Sequence, residues 1–180
     1  MAYPAQAVAN FFIKKSVEDK TEDLNIMKLI KTVFIAHGFY LASKDKPLIN
    51  EFVQAWKYGP VIDSVYHEFK GLGHKPVKFL AASEIGEDAD GNVFPKSYYQ
   101  IPESDIETIE FLKDIWQICR GHSGIELSNW THKEGSPWRQ IWESKDRVKI
   151  NPQIPEELIK MYFKGLLRDG AQPATSSRTL

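Results

Sequence analysis

Apolar residues recur at helical spacing along most of this chain, and the stretches that break the pattern are short. Ala7, Val8, Phe11 and Phe12 share one face of a helix expected over Pro4 to Lys15. Asn25, a good N-cap, precedes a run in which Ile26, Met27, Leu29, Ile30, Val33, Phe34, Ala36, Tyr40 and Leu41 form a wide apolar arc. That width predicts a central helix reaching Ser43, with Ile35 and Phe39 behind the arc. His37 lies within it, where a buried imidazole stays neutral and needs a hydrogen-bond partner. A further helix is predicted from the capping-box pair Ser104 and Glu107 to Arg120, its apolar face carrying Ile109, Phe111, Leu112, Ile115, Trp116 and Ile118. Pro155 opens the last helix, striped by Leu158, Ile159, Tyr162, Phe163 and Leu166.

Two corners interrupt these helices. In Trp56-Lys57-Tyr58-Gly59-Pro60-Val61, Gly59 can take backbone angles closed to other residues and Pro60 suits the first position of a helix. The spacing predicts a helix from Pro60 to a Gly71 cap, burying Val61, Ile62, Val65, Tyr66 and Phe69 and exposing Asp63, Ser64, His67, Glu68 and Lys70. Asp63 and His67, one turn apart, are placed to pair. In the second corner, Ser123 and Glu126 cap a short helix from Gly124 to Lys133, and Ser136-Pro137 opens another carrying Trp138, Ile141 and Trp142. His132 falls at a helix end, where a cationic imidazole is favoured. Between the corners, Val77-Lys78-Phe79-Leu80 and Tyr98-Tyr99-Gln100-Ile101 predict a small antiparallel pair flanking an acidic stretch, Glu84 to Asp90. The fold class is mainly α: a compact single-domain helical bundle over residues 1–168 with a small antiparallel β element in the middle. The tail, 169–180, has little to bury and is expected to be disordered.

Composition narrows the functional classes. With 180 residues, 42% of them hydrophobic, the chain has ample core for one domain, and a net charge of -1 argues against a broad nucleic-acid footprint. Lys14, Lys15, Lys28 and Lys31 read as solvated helix faces. No apolar run reaches the roughly 20 residues of a bilayer span, and no secretion signal is visible, so a cytoplasmic protein without membrane contact is expected. Cys119 reads as a small core hydrophobe. It could form half a metal site with His122, but no second pair completes it, so neither metal nor cofactor is expected.

Trp56-Lys57-Tyr58-Gly59-Pro60-Val61, Tyr66-His67-Glu68-Phe69 and Thr131-His132-Lys133-Glu134-Gly135-Ser136-Pro137-Trp138 resemble the signatures of the Panacea domain family, the SocA-like antitoxins once labelled phage-associated proteins of the GepA type. Lys28-Leu29-Ile30-Lys31, Ala36-His37-Gly38-Phe39-Tyr40-Leu41-Ala42 and Pro47-Leu48 extend the resemblance, which runs from Ala5 to Phe163. Thr32-Val33-Phe34-Ile35 departs from a Leu-Leu-Tyr-like run, a change of packing more than of role. The acidic insert Glu84 to Asp90 matches no part of the pattern.

The resemblance implies the antitoxin of a toxin–antitoxin pair that neutralises a cognate toxin by direct binding. Delivery of the toxin to a host protease is the alternative, and an enzyme reversing the toxin's chemistry a more distant one. His67, Glu68, His132, Glu134 and Ser136 would be the pieces of a catalytic site, yet no motif orders a base against a nucleophile, and Ser136 before Pro137 is explained as a cap. A non-enzymatic binding module is therefore expected. Its toxin-binding candidates are Lys57, Tyr58, Tyr66, His67, Glu68, His132, Glu134 and Trp138, taken as one exposed face formed by both corners.

Overall fold

The computed structural model describes residues 1–144 and 150–170. The chain is mainly helical: α1 (Ala5–Glu18), α2 (Ile26–Lys44), α3 (Asp63–Phe69), α4 (Ile106–Cys119), α5 (Gly124–Thr131), α6 (Pro137–Trp142) and α7 (Glu156–Arg168). Two small antiparallel sheets join them. One has the order β2 (Gly59–Ile62), β1 (Val53–Trp56), β5 (Gln153–Ile154), and the other pairs β3 (Ala82–Glu87) with β4 (Val93–Tyr98). Of the tail expected at 169–180, residues 171–180 lie outside the described residues.

Helix α2 is the axis of the core. The Asn25 side chain caps it by accepting from the Lys28 N–H, and Asp45 ends it in the left-handed conformation. It is long and apolar enough to cross a membrane by length and composition, which corrects the expectation that no stretch approaches that size. Its environment is protein: every residue from Lys28 to Ala42 is buried, Ile35 and Phe39 included, against α1, α4, α5 and α7. Helix α7 packs on it where Gly38 leaves space for the ring of Phe163. That ring meets Phe34, Phe39 and Trp130 edge-on at centroid distances of 5.7, 4.9 and 5.8 Å. Cys119 is fully buried in this core, its thiol pushed up to about 12 by desolvation.

Burial corrects the lysine assignment. Lys14 is exposed, but Lys28 and Lys31 are inside. Lys28 donates from Nζ to Asp23 at 2.7 Å and to the Arg120 carbonyl at 2.8 Å, so one ammonium serves an acid and the C-terminal end of α4. His37 is buried and held neutral, its pKa pushed down to about 4 by burial, but neither ring nitrogen finds the expected hydrogen-bond partner.

Three element boundaries also shift. Pro60 does not open a helix; it lies in β2, and α3 starts at Asp63. The chain leaves α3 through a 3-10 turn, with Gly73 rather than Gly71 at positive φ. Helix α4 is capped by Asp105 rather than Ser104, because the Asp105 carboxylate accepts from both the N–H and the hydroxyl of Thr108, and from the Tyr3 hydroxyl. The central hairpin forms through the acidic stretch itself. Asp88 accepts from the N–H groups of Asp90 and Asn92, and Gly91 takes a φ of 83°, so local turn chemistry outweighs the apolar runs on either side.

The Gly38 contact gives a direct test. Ala is favoured over Gly in a helix by about 1 kcal/mol, but a methyl forced into the Phe163 ring costs about 1 to 3 kcal/mol. Gly38→Ala is therefore expected to lower stability in a urea titration. Shortening the ring with Phe163→Leu should make the added methyl less costly than in wild type. Equal costs in the two backgrounds would refute the contact.

Candidate functional site

The first corner is a β-hairpin whose turn is Lys57-Tyr58. Trp56 pairs with Gly59 and Ala55 with Pro60, and the register continues to Val53 with Ile62. Lys57 and Tyr58 keep ordinary φ, and Gly59 takes the +107° that returns the chain into β2. Pro60 is tolerated for two reasons. Strand β2 is an edge, and the Ala55 N–H points the other way, donating to the Pro152 carbonyl at 2.7 Å, so its pair with Pro60 is one that exchanges no ladder bond.

Beneath this turn lies Lys31. It is 2% exposed, and its Nζ donates to the carbonyls of Tyr58 and Pro60, each at 2.9 Å. Among the described residues no carboxylate pairs with it, and burial pushes its pKa down to about 7. A Cβ on Gly59 would stand 2.5 Å from Lys31 Nζ and 2.7 Å from His132 Nε2. The glycine is thus required twice, by its φ and by the two nitrogen-bearing side chains that fill the space.

The second corner closes against the first. Ser123 and Glu126 form the expected capping box of α5, and Ser136, itself buried, accepts from the Arg139 N–H to start α6. Trp138 then reaches back, donating from Nε1 to the Trp56 carbonyl at 2.7 Å, and Ser128 donates to the Tyr58 carbonyl at 3.4 Å. His132 follows α5 and stacks on Trp138 with centroids 3.9 Å apart. The cationic imidazole expected there is corrected to a neutral one: burial first, then the Lys31 and Arg139 charges, push His132 down to about 4.

The expected face is thereby divided. Lys57, Tyr58 and Tyr66 line one groove of about 350 Å³ with Ile26, Met27, Ile30, Val61 and Trp56. Tyr58 is 67% exposed, while Trp56 and Tyr66 pack edge-on at 4.8 Å. Glu68 lies across α3 on a second groove, and His67 stands exposed between them, 3.5 Å from Asp63 as the spacing predicted and 2.9 Å from Lys70. His132 and Trp138 stand behind the hairpin, Trp138 buried at 7% exposure, and Glu134 is exposed on the turn before α6. Lys31 is not among the sequence-predicted site residues, although its place at the start of the apolar arc, on the Lys28 face, is a visible signal. Among the described residues, no group of three His, Cys, Asp or Glu side chains is placed to hold a metal ion.

The residues that lock these two corners together fall inside a family match: residues 29–139 match the family described as Antitoxin SocA-like, Panacea domain. The chain belongs to this antitoxin family. It is 30% identical over 161 residues to antitoxin SocA of Caulobacter vibrioides (strain NA1000 / CB15N), covering 89% of this chain and 82% of the relative. No solved structure matches. Family membership supports an antitoxin role, implies a toxin partner and suggests a non-enzymatic regulator. The Panacea motifs acquire physical meanings here: Tyr58-Gly59-Pro60 is the turn that Lys31 fastens, and Thr131-His132 with Pro137-Trp138 is its brace.

Gly59→Ala should expose the strain at this junction. A non-glycine residue at such φ costs about 1 to 3 kcal/mol, and displacing Lys31 or His132 adds to it. The expected outcome is a chemical-denaturation midpoint well below wild type. A wild-type midpoint would contradict the packing of Lys31 and His132 on Gly59.

Proposed function

We propose that this chain neutralises a toxin protein by direct contact, and that the groove under the Lys57-Tyr58 turn is the principal contact. The observation that carries the reading is an apolar groove held open on a rigid hairpin, with a largely exposed tyrosine at its lip. Protein interfaces concentrate their energy in such aromatic anchors set in pockets. Lys57 is exposed, its Nζ 5.3 Å from the Tyr58 ring centre, and none of the described residues forms an ion pair with it. A net charge of -1 supports a protein partner over nucleic acid. The reading places the encounter in the cytoplasm.

The chemistry of the candidate residues favours binding over catalysis. Ser136 is buried as a cap, His132 stacks on an indole, and His67 meets Asp63 and Lys70 on an open helix face. None stands as a base against a nucleophile. Glu68, His67 and Glu134 are then secondary contacts at most, and His132 and Trp138 act by holding the hairpin.

The test uses the product of the neighbouring reading frame, expressed with and without this chain. Wild type should restore growth and co-purify with that product. Tyr58→Ala should weaken association by about 2 kcal/mol or more, the cost of removing an interface anchor. Lys57→Glu should weaken it too, both with unchanged melting curves, while Glu22→Lys is the neutral control. Rescue without association would replace the reading by an enzyme that reverses the toxin's chemistry. Rescue that vanishes in a host lacking the relevant protease would replace it by toxin delivery.

A further inference from the structure

The hairpin β3–β4 stands apart from this site and is unusual in what it exposes. Its base is fixed by a buried side chain of α1: Asn10 donates to the carbonyls of Ala81 and Tyr99 at 2.9 and 2.8 Å and accepts from the Ala81 N–H at 2.8 Å. Beyond that clamp the strands pack chiefly on each other. Ile85 and Val93 are 68% and 66% exposed, and Phe79, Phe94 and Tyr98 each exceed 40%. They rim a groove of about 500 Å³ between the hairpin and Glu68 of α3, Ile85 and Val93 from one face of the strands and Phe94 and Tyr98 from the other. Scattered apolar residues on a surface are ordinary, but this many around one groove on a clamped hairpin mark an interaction site.

Charge selects the occupant. Glu68, Glu84, Glu87, Asp88 and Asp90 lie on or beside this surface, against Lys78 and Lys96, and none of the five acids forms an ion pair among the described residues. Lys96 leans over Gly86, its Cε 2.5 Å from where a Cβ would stand. A nucleic acid or an anionic membrane would meet like charge here. A second copy would bring the same excess of acids over lysines to the contact, which disfavours it.

We propose that the β3–β4 hairpin is a second docking surface, which takes a basic segment of the neutralised toxin through apolar contacts to Ile85, Val93 and Phe94 and charge contacts to Glu84 and Glu87. This rests on the reading that the chain binds its toxin directly. It gives the acidic insert, which the family motifs do not explain, the role of selecting the partner. The grooves on either side of α3 then hold one partner at two places.

Binding of the neighbouring reading frame's product, measured by calorimetry at two salt concentrations, tests the assignment. Glu84→Lys with Glu87→Lys should raise Kd at least tenfold at low salt and flatten its salt dependence. Ile85→Ser with Phe94→Ser should raise Kd at least tenfold at both salts. All four side chains are solvent-exposed, and melting curves should match wild type. If the hairpin variants bind like wild type while Tyr58→Ala loses affinity, the hairpin proposal is overturned and the direct-binding reading stands. If wild type itself fails to bind, both fall. A wild-type dimer in sedimentation that either hairpin variant converts to monomer would overturn the toxin as occupant in favour of a second copy.

Discussion

The amine of Lys31 on the carbonyls of Tyr58 and Pro60 is the contact on which the signature region depends. A lysine taken out of water without a carboxylate partner is costly, and the protein lowers that cost by pushing the amine toward its neutral form and using its hydrogens on two main-chain oxygens. Lys31 is fixed on α2, the most buried helix, so the hairpin turn is tied to the centre of the core. Remove the lysine and the Pro60 carbonyl loses this donor, while Tyr58 keeps only the longer bond from Ser128 at 3.4 Å. Fill Gly59 and the lysine has nowhere to go.

From that tie the rest follows in order. The hairpin's Trp56 carbonyl becomes the acceptor for Trp138, which sets α6 against β1, and His132 stacks on the same indole. Strand β5 pairs with the other side of β1 and leads directly into α7. Helix α7 returns to α2 through Phe163 and Gly38. The exposed turn residues Lys57 and Tyr58 are thus carried on a support braced from both sides, which is the arrangement an interface anchor needs if it is not to lose affinity to its own motion.

Much of this was legible in the pattern of residues, and the failures have physical causes. Periodicity located α1, α2, α4 and α7, and capping chemistry placed α5 and α6, because both signals are local. The corner at Gly59-Pro60 reads as a helix start in the sequence, since proline at an edge strand and proline at a first helical turn look alike until the pairing of Ala55 is known. Strand β5, two residues long, has no local signal and exists through its partner. Lys31 and Lys28 read as surface residues in the sequence because the main-chain carbonyls of distant segments that accept from them leave no trace in composition. His37 was expected to be buried and neutral, and is, yet without the partner that burial ordinarily demands. The motifs identified the region of the candidate site. The helical spacing puts Tyr66 and Glu68 on different faces of α3, but the motifs do not show that each lines a groove of its own.

The central claim is that Lys31 is buried on the hairpin turn, and the titration of its Nζ measures this most directly. With lysines isotopically labelled at Cε and Nζ, and Lys31 assigned by the spectrum of Lys31→Arg, its resonance should titrate with a midpoint near 7 in the folded protein. A midpoint near the ordinary value of about 10.4, with Nζ protons exchanging as fast as those of the exposed lysines, would mean a solvated lysine, and the tie between α2 and the hairpin would not exist.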